Sequence, residues 1–111
     1  MMFQGKFYVY ILTNQNKTVL YTGVTNNPEQ RIIEHWKGGK DSTSFTAKYK
    51  VYFLLFDEGY QYINDAIARE KEIKGWKREK KMALINGFNP GLIFLNEELF
   101  GKWPPDEIMT R

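Results

Sequence analysis

With 42% hydrophobic and 26% charged residues in a chain of 111, the sequence has material for one core but no length for a catalytic domain plus a separate targeting domain, and disordered and collagen-like classes are excluded. The absence of cysteine and the single histidine, His35, exclude disulfides, thiolate zinc sites, cysteine nucleophiles and multi-histidine metal sites, so any metal must be held by oxygen ligands. The net charge of +3 leans mildly towards polyanions, no apolar run approaches the ~20 residues of a membrane span, and the opening MMFQGKF lacks the basic flank and long apolar stretch of a secretion signal, so a cytoplasmic protein is expected.

In chain order, Phe7 to Thr13 and Thr18 to Thr25 are rich in β-branched and aromatic residues and are separated by the turn residues NQNK, which predicts a hairpin. A turn symmetric about Gln15 and Asn16 places Tyr10 directly opposite Tyr21. Tyr8 shares their face, and Phe7, Val9 and Ile11 line the other. Asn27, Pro28 and Gln30 form a helix N-terminal signature, and the helix runs to Gly38-Gly39. Its stripe of Ile32, Ile33 and Trp36 is flanked by Arg31 and His35, one turn apart on one face.

KDSTSFTAKYK reads as a polar, basic loop and VYFLLFDE as a buried strand. A second helix is expected from Asn64 to about Trp76 and a third over REKKMALIN, closing at Gly87. The last stretch, from Phe88 on, mixes apolar anchors with prolines and predicts no definite path. The order β-β-α-β-α-α implies one α+β domain, a three-stranded, mostly antiparallel sheet flanked by helices.

Two features exceed what a core requires. Tyrosines are paired on one sheet face, where cross-strand aromatic packing would also explain them. In the second helix Ile63, Ile67, Ile73 and Trp76 make an apolar stripe whose remaining place is held by Glu70. A carboxylate there must be protonated, paired with Arg31 or a neighbouring lysine, bound to a metal, or open to a groove. Around it REKEIKGWKREKK carries seven basic and three acidic residues, either a solvated helix face or a surface for a polyanion.

Taken together, YVY at Tyr8–Tyr10, YTG at Tyr21–Gly23, Arg31 eight positions further on, His35 one turn later and Glu70 after the third strand resemble the GIY-YIG nuclease family. The likeness is to its small single-domain bacterial members related to the nuclease domain of the excision-repair incision enzyme. The resemblance covers about Phe7 to Pro90. It implies a three-stranded antiparallel sheet flanked by helices and metal-dependent hydrolysis of DNA. By the same resemblance Tyr10 is a general base or water orienter, Tyr21 and Gly23 belong to the second motif, and Arg31 stabilises the transition state. His35 is an accessory residue near the nucleophile, and Glu70 holds a single Mg²⁺ or Mn²⁺. A late asparagine of the family is assigned to Asn89, with Asn86 and Asn96 as alternatives. Tyr8 stands in place of the first motif's glycine, Thr22 in place of an isoleucine, and Gln30 where many relatives have a second arginine.

The chemistry has its own logic: phosphodiester hydrolysis needs an in-line water losing a proton, charge stabilisation on the non-bridging oxygens and help for the departing alkoxide. Beyond the core, Lys48 in the loop and Lys74 and Lys77 in the basic run are expected to meet phosphates. The tail after Pro90, with only Lys102 and Arg111 as basic residues, is a poor DNA-tracking arm. Cleavage directed by DNA structure or by a partner protein is therefore expected. A binding module without turnover and a protein-interaction domain built on the aromatic tail are the other readings, and neither needs Tyr10, Tyr21, Arg31 and Glu70 together.

Overall fold

The computed structural model describes residues 5–38 and 45–105. Part of the predicted loop, residues 39–44 with Gly39, lies outside the described residues. The fold is built around strand β1 (Phe7–Thr13), which is apolar on both faces. β2 (Leu20–Thr25) and β3 (Phe53–Tyr60) pair with it antiparallel on either side, giving the order β2-β1-β3. Around this sheet lie α1 (Pro28–Trp36), α2 (Phe45–Tyr49), α3 (Ile63–Lys74), α4 (Arg78–Phe88) and α5 (Asn96–Phe100). The expected α+β class holds, with two short helices added.

Alternation along β1 divides the interior in two. Val9 and Ile11 enter a core with Leu55, Phe56, Ala66, Ile73 and Ile85, roofed by α3 and α4. Tyr10 and Leu12 enter a second core with Ile32, Val51, Leu54 and Leu95, covered by α1 and the C-terminal segment. A bulge in the β1–β3 pairing at Ile11/Leu12 lets consecutive Leu55 and Phe56 both join the first core, which strict alternation would forbid.

The hairpin register differs from the symmetric expectation. Tyr10 pairs with Gly23 and Tyr21 with Leu12, because Asn14 lengthens the turn on its return side. Its Oδ1 accepts from the Thr18 and Val19 amides at 2.8 and 3.1 Å, and Lys17 takes a left-handed φ of 58°. Two residues predicted for the second strand thus belong to the turn. The start of α1 is as expected: Asn27 Oδ1 accepts from Gln30 N at 3.1 Å, Pro28 opens the helix, and Gly38 with φ 86° follows its end. The predicted loop holds a helical turn, α2, and β3 begins two residues late, leaving Val51 buried ahead of it.

The tail has a defined course. β3 is an edge strand whose outer backbone groups need partners. Leu95 N donates to Leu54 O at 2.9 Å, and the buried Asn96 side chain accepts from Leu54 N at 2.7 Å and donates to Tyr52 O at 2.9 Å. Trp103 then packs edge-on to Trp36 at 5.4 Å between ring centres.

One buried group stands out. Asp57, opposite Tyr10 on β3, is 3% exposed, and neither carboxyl oxygen has a hydrogen-bond partner among the described residues. Burial, reinforced by the charge of Glu98, pushes its pKa up from 3.8 to about 7. The native state therefore holds this proton more tightly than the unfolded chain. The stability it brings is complete below about pH 4 and is lost as pH rises through about 7. Between pH 5 and 8 the protein is expected to lose about 3 kcal/mol from this group. Asp57→Asn should remove that loss, so the change in stability between pH 5 and 8, measured by urea denaturation at both values, should differ between parent and variant by about 3 kcal/mol.

Candidate functional site

The tyrosine face of the sheet is shaped by a glycine. The Tyr10 ring crosses from β1 over β2, and a Cβ placed on Gly23 would lie 2.5 Å from Tyr10 Cζ. Any side chain there would lift the phenol off the sheet, so Gly23 is required for close approach rather than for a special backbone angle. Tyr21 lies diagonally across, its ring centre 6.4 Å from that of Tyr10. The two tyrosines share a face as expected, although they are not cross-strand partners.

α1 delivers His35 and Arg31 to this face. Buried His35 has Nε2 3.2 Å from the Tyr10 hydroxyl and Nδ1 3.0 Å from the buried Thr46 hydroxyl of α2. Its ring meets Tyr21 edge-on at 5.3 Å. Arg31 donates to Glu34 Oε1 at 3.0 Å at the rim and also interacts with the Tyr10 hydroxyl.

These neighbours fix the protonation states. Burial pushes the Tyr10 phenol up to about 12, with the Tyr21 and Glu70 charges adding to it and Arg31 opposing. Burial and then the Arg31 charge push His35 down to about 4, against a smaller pull from Glu34. At neutral pH the centre is thus a phenol, a neutral imidazole and a guanidinium. Two tautomers satisfy the chain Tyr10–His35–Thr46. In one, Tyr10 O–H donates to Nε2 and Nδ1–H donates to Thr46 Oγ1; in the other, Thr46 O–H donates to Nδ1 and Nε2–H donates to the Tyr10 oxygen. Interconverting them moves a proton along the chain.

Glu70 sits on α3 between the fully buried Ala66 and Ile73, its side chain 14% exposed, with Oε2 2.8 Å from Lys74 Nζ. The buried stripe differs from the one expected, since Ile63 is exposed and Ala66 takes an inward place. Glu70 still falls on that stripe, and its charge reaches Tyr10. The ion pair with a neighbouring lysine is the arrangement observed. Among the described residues no three His, Cys, Asp or Glu side chains group as metal ligands. A single carboxylate is a hard oxygen ligand of the kind Mg²⁺ takes while keeping most of its coordination for water. Lys74, with half its side chain exposed, can swing off the carboxylate.

The lysines expected to meet phosphates lie on α2, at the end of α3 and at the start of α4. Lys74 is turned to Glu70, Lys77 caps α4 and is exposed, and Lys48 lies over the Tyr49 ring at 5.5 Å. Arg69 pairs with Glu58 and Glu72, and Arg78 donates to the carbonyls of Lys17 and Thr18, tying α4 to the hairpin turn. Asn89 is a clamp in this structure: its amide donates to Leu55 O and Ile93 O and accepts from Ile93 N. One N–H fastens the end of α4 to β3, on the face of the sheet away from Tyr10, and the other, with the amide oxygen, holds the Ile93 backbone.

Thr46 and Asp57 had no pattern in the sequence to mark them. The aromatic pair Phe45 and Tyr49 did have one, a four-residue spacing inside an otherwise polar segment, which is a helical period.

The model of the GIY-YIG catalytic domain matches residues 6–83. The chain is 36% identical over 81 residues to a UPF0213 protein of Staphylococcus haemolyticus, covering 73% of this chain and 95% of that protein. It is 39% identical over 81 residues to a UPF0213 protein of Syntrophus aciditrophicus, covering 73% and 91%. The solution NMR structure of the UPF0213 protein BH0048 from Bacillus halodurans aligns with a TM-score of 0.45 at 28% identity, over 72% of this chain and 82% of that one.

Proposed function

The chain belongs to the GIY-YIG catalytic-domain family, a nuclease-type family, and from that membership we propose that it is a metal-dependent endonuclease hydrolysing DNA phosphodiester bonds. The observation that carries this reading is the Tyr10–His35 hydrogen bond of 3.2 Å inside a cluster that also holds Tyr21 and Arg31. Such a phenol–imidazole pair can take a proton from an attacking water, and plain sheet packing does not require it.

In this mechanism the Tyr10 oxygen orients the water. As the water oxygen bonds to phosphorus, its proton passes to Tyr10 while the Tyr10 proton passes to His35 Nε2. Burial holds the phenol at about 12, so the paired transfer avoids a free phenolate, and the negative charge of the bound phosphate raises the basicity of the imidazole, which stands at about 4 without it. The step uses the tautomer in which Nδ1–H donates to Thr46 Oγ1, one of the two that the 3.0 Å contact allows, and Nε2 is then the acceptor. Arg31 forks onto the non-bridging oxygens. Glu70 would hold one Mg²⁺ or Mn²⁺, which would supply further charge stabilisation on the phosphate and its leaving oxygen. The alkoxide leaves as the P–O bond breaks and takes a proton from solvent.

Substrate choice is read as structure-directed, with targeting by a protein partner compatible with it. The tail is occupied in capping β3 and covering the second core, and the basic run, mostly exposed lysine on helix surfaces, can grip phosphates but offers little organised readout of base edges. The test is incubation with branched, nicked, single-stranded and duplex DNA in Mg²⁺ or Mn²⁺, with EDTA as control. Divalent-dependent cutting that ranks substrates by shape is the expected result. Binding without cutting under every condition would replace the enzyme by a nucleic-acid-binding module.

A further inference from the structure

α2 is oriented from its inner side. Buried Thr46 bonds His35 through its hydroxyl and accepts from Val51 N through its carbonyl at 2.9 Å. That anchoring makes no use of the outer side, where Phe45 and Tyr49 remain 49% and 44% exposed. Their ring centres are 5.0 Å apart, and Phe45 stacks on Tyr21 at 6.5 Å with 27° between planes. Three rings therefore run in series from the tyrosine cluster to solvent, and the Lys48 ammonium stands over the last of them.

A ring face next to an ammonium matches one ligand chemistry well: a nucleobase with its phosphate. Bases stack on aromatic side chains whatever their identity, and the cation takes the phosphate charge. Paired bases hide their faces inside the duplex, so only unpaired ones can use such a surface. Self-association is disfavoured there, because a two-fold contact through α2 would bring Lys48 and the adjacent exposed Lys50 of two copies together.

We propose that Phe45 and Tyr49 form a stacking site for unpaired nucleobases adjoining the tyrosine cluster. The inference rests on the nucleic-acid reading of that cluster and adds the strand state that the substrate must offer.

The test is fluorescence anisotropy in EDTA, where cleavage plays no part, with a labelled oligothymidylate and an abasic strand of equal length and charge. The protein is expected to bind the base-bearing strand about tenfold more tightly. Phe45→Leu/Tyr49→Leu should abolish that ratio while leaving abasic affinity unchanged. Should the double variant fail to fold, Tyr49→Leu alone, at a half-exposed position, is expected to reduce the ratio. Equal affinity for the two strands in the unaltered protein, or an undiminished ratio in the leucine variants, overturns the proposal. So does a concentration-dependent dimer that the same variants dissociate, which would assign the face to self-association. Base-dependent binding without any cleavage would keep this site and remove the nuclease reading, whereas cleavage without base dependence would do the reverse.

Discussion

Glu70→Gln is expected to fold as the parent protein does and to lose divalent-dependent cleavage by about 10³-fold or more. Glutamine keeps the volume and most of the hydrogen-bonding reach of the side chain between Ala66 and Ile73, so the first core is not disturbed. What the substitution removes is the charge. Its structural use is the ion pair with Lys74 at 2.8 Å, on a lysine half exposed to solvent, and such pairs contribute at most about 1 kcal/mol. Thermal unfolding should therefore shift by only a few degrees. If Glu70 served only to pair Lys74, cleavage would survive along with the fold. Single-turnover rates across a Mg²⁺ titration, beside a melting curve, separate the two roles, and parental rates in the variant would falsify the metal assignment.

The parts of this molecule that were legible in the sequence are those set by local pattern. Alternation in YVYIL, the Asn27-Pro28 cap and the apolar period of the helices fix the sheet, α1 and the placement of Tyr10, Tyr21, Arg31, His35 and Glu70 on their elements. The register was not legible, because it depends on the Asn14 side chain capturing two amides across the turn, which no spacing rule anticipates. α2 was masked by its composition: Ser, Thr and Lys read as loop, and the helical turn is held by tertiary bonds from Thr46 rather than by propensity. The course of the tail follows from the needs of β3's outer edge, a property of the sheet and not of the tail's own residues. Charge counts likewise do not reveal that Arg69 and Arg78 of the basic run find partners within the fold. Asn89, assigned by resemblance to a substrate contact, has its amide engaged by Leu55 and Ile93. Asp57 lay inside a strand that read as continuous and apolar, and only the pairing shows it buried beside Tyr10.

Arg31→Lys tests the centre from the other side of the phosphate. The substitution preserves the positive charge that helps depress His35 and that opposes the upward shift of Tyr10, so the protonation states at neutral pH should be unchanged and the pH–rate profile should keep its shape. Encounter with DNA depends on charge, and binding is expected to stay within about threefold. The fork is lost. A guanidinium engages two oxygens of a phosphate at once, in a fixed plane, whereas an ammonium offers a point charge on a flexible stem. At the transition state, where charge spreads over the non-bridging oxygens, that difference should lower the cleavage rate by about 10²-fold. The rim contact to Glu34, with both side chains 42% exposed, is too solvated for its loss to mimic this effect through stability. Rate at saturating DNA and affinity in EDTA must be measured separately. A fall in rate with affinity preserved identifies bidentate transition-state stabilisation, while equal losses in both reduce Arg31 to general electrostatic attraction and leave the Tyr10–His35 pair without its phosphate partner.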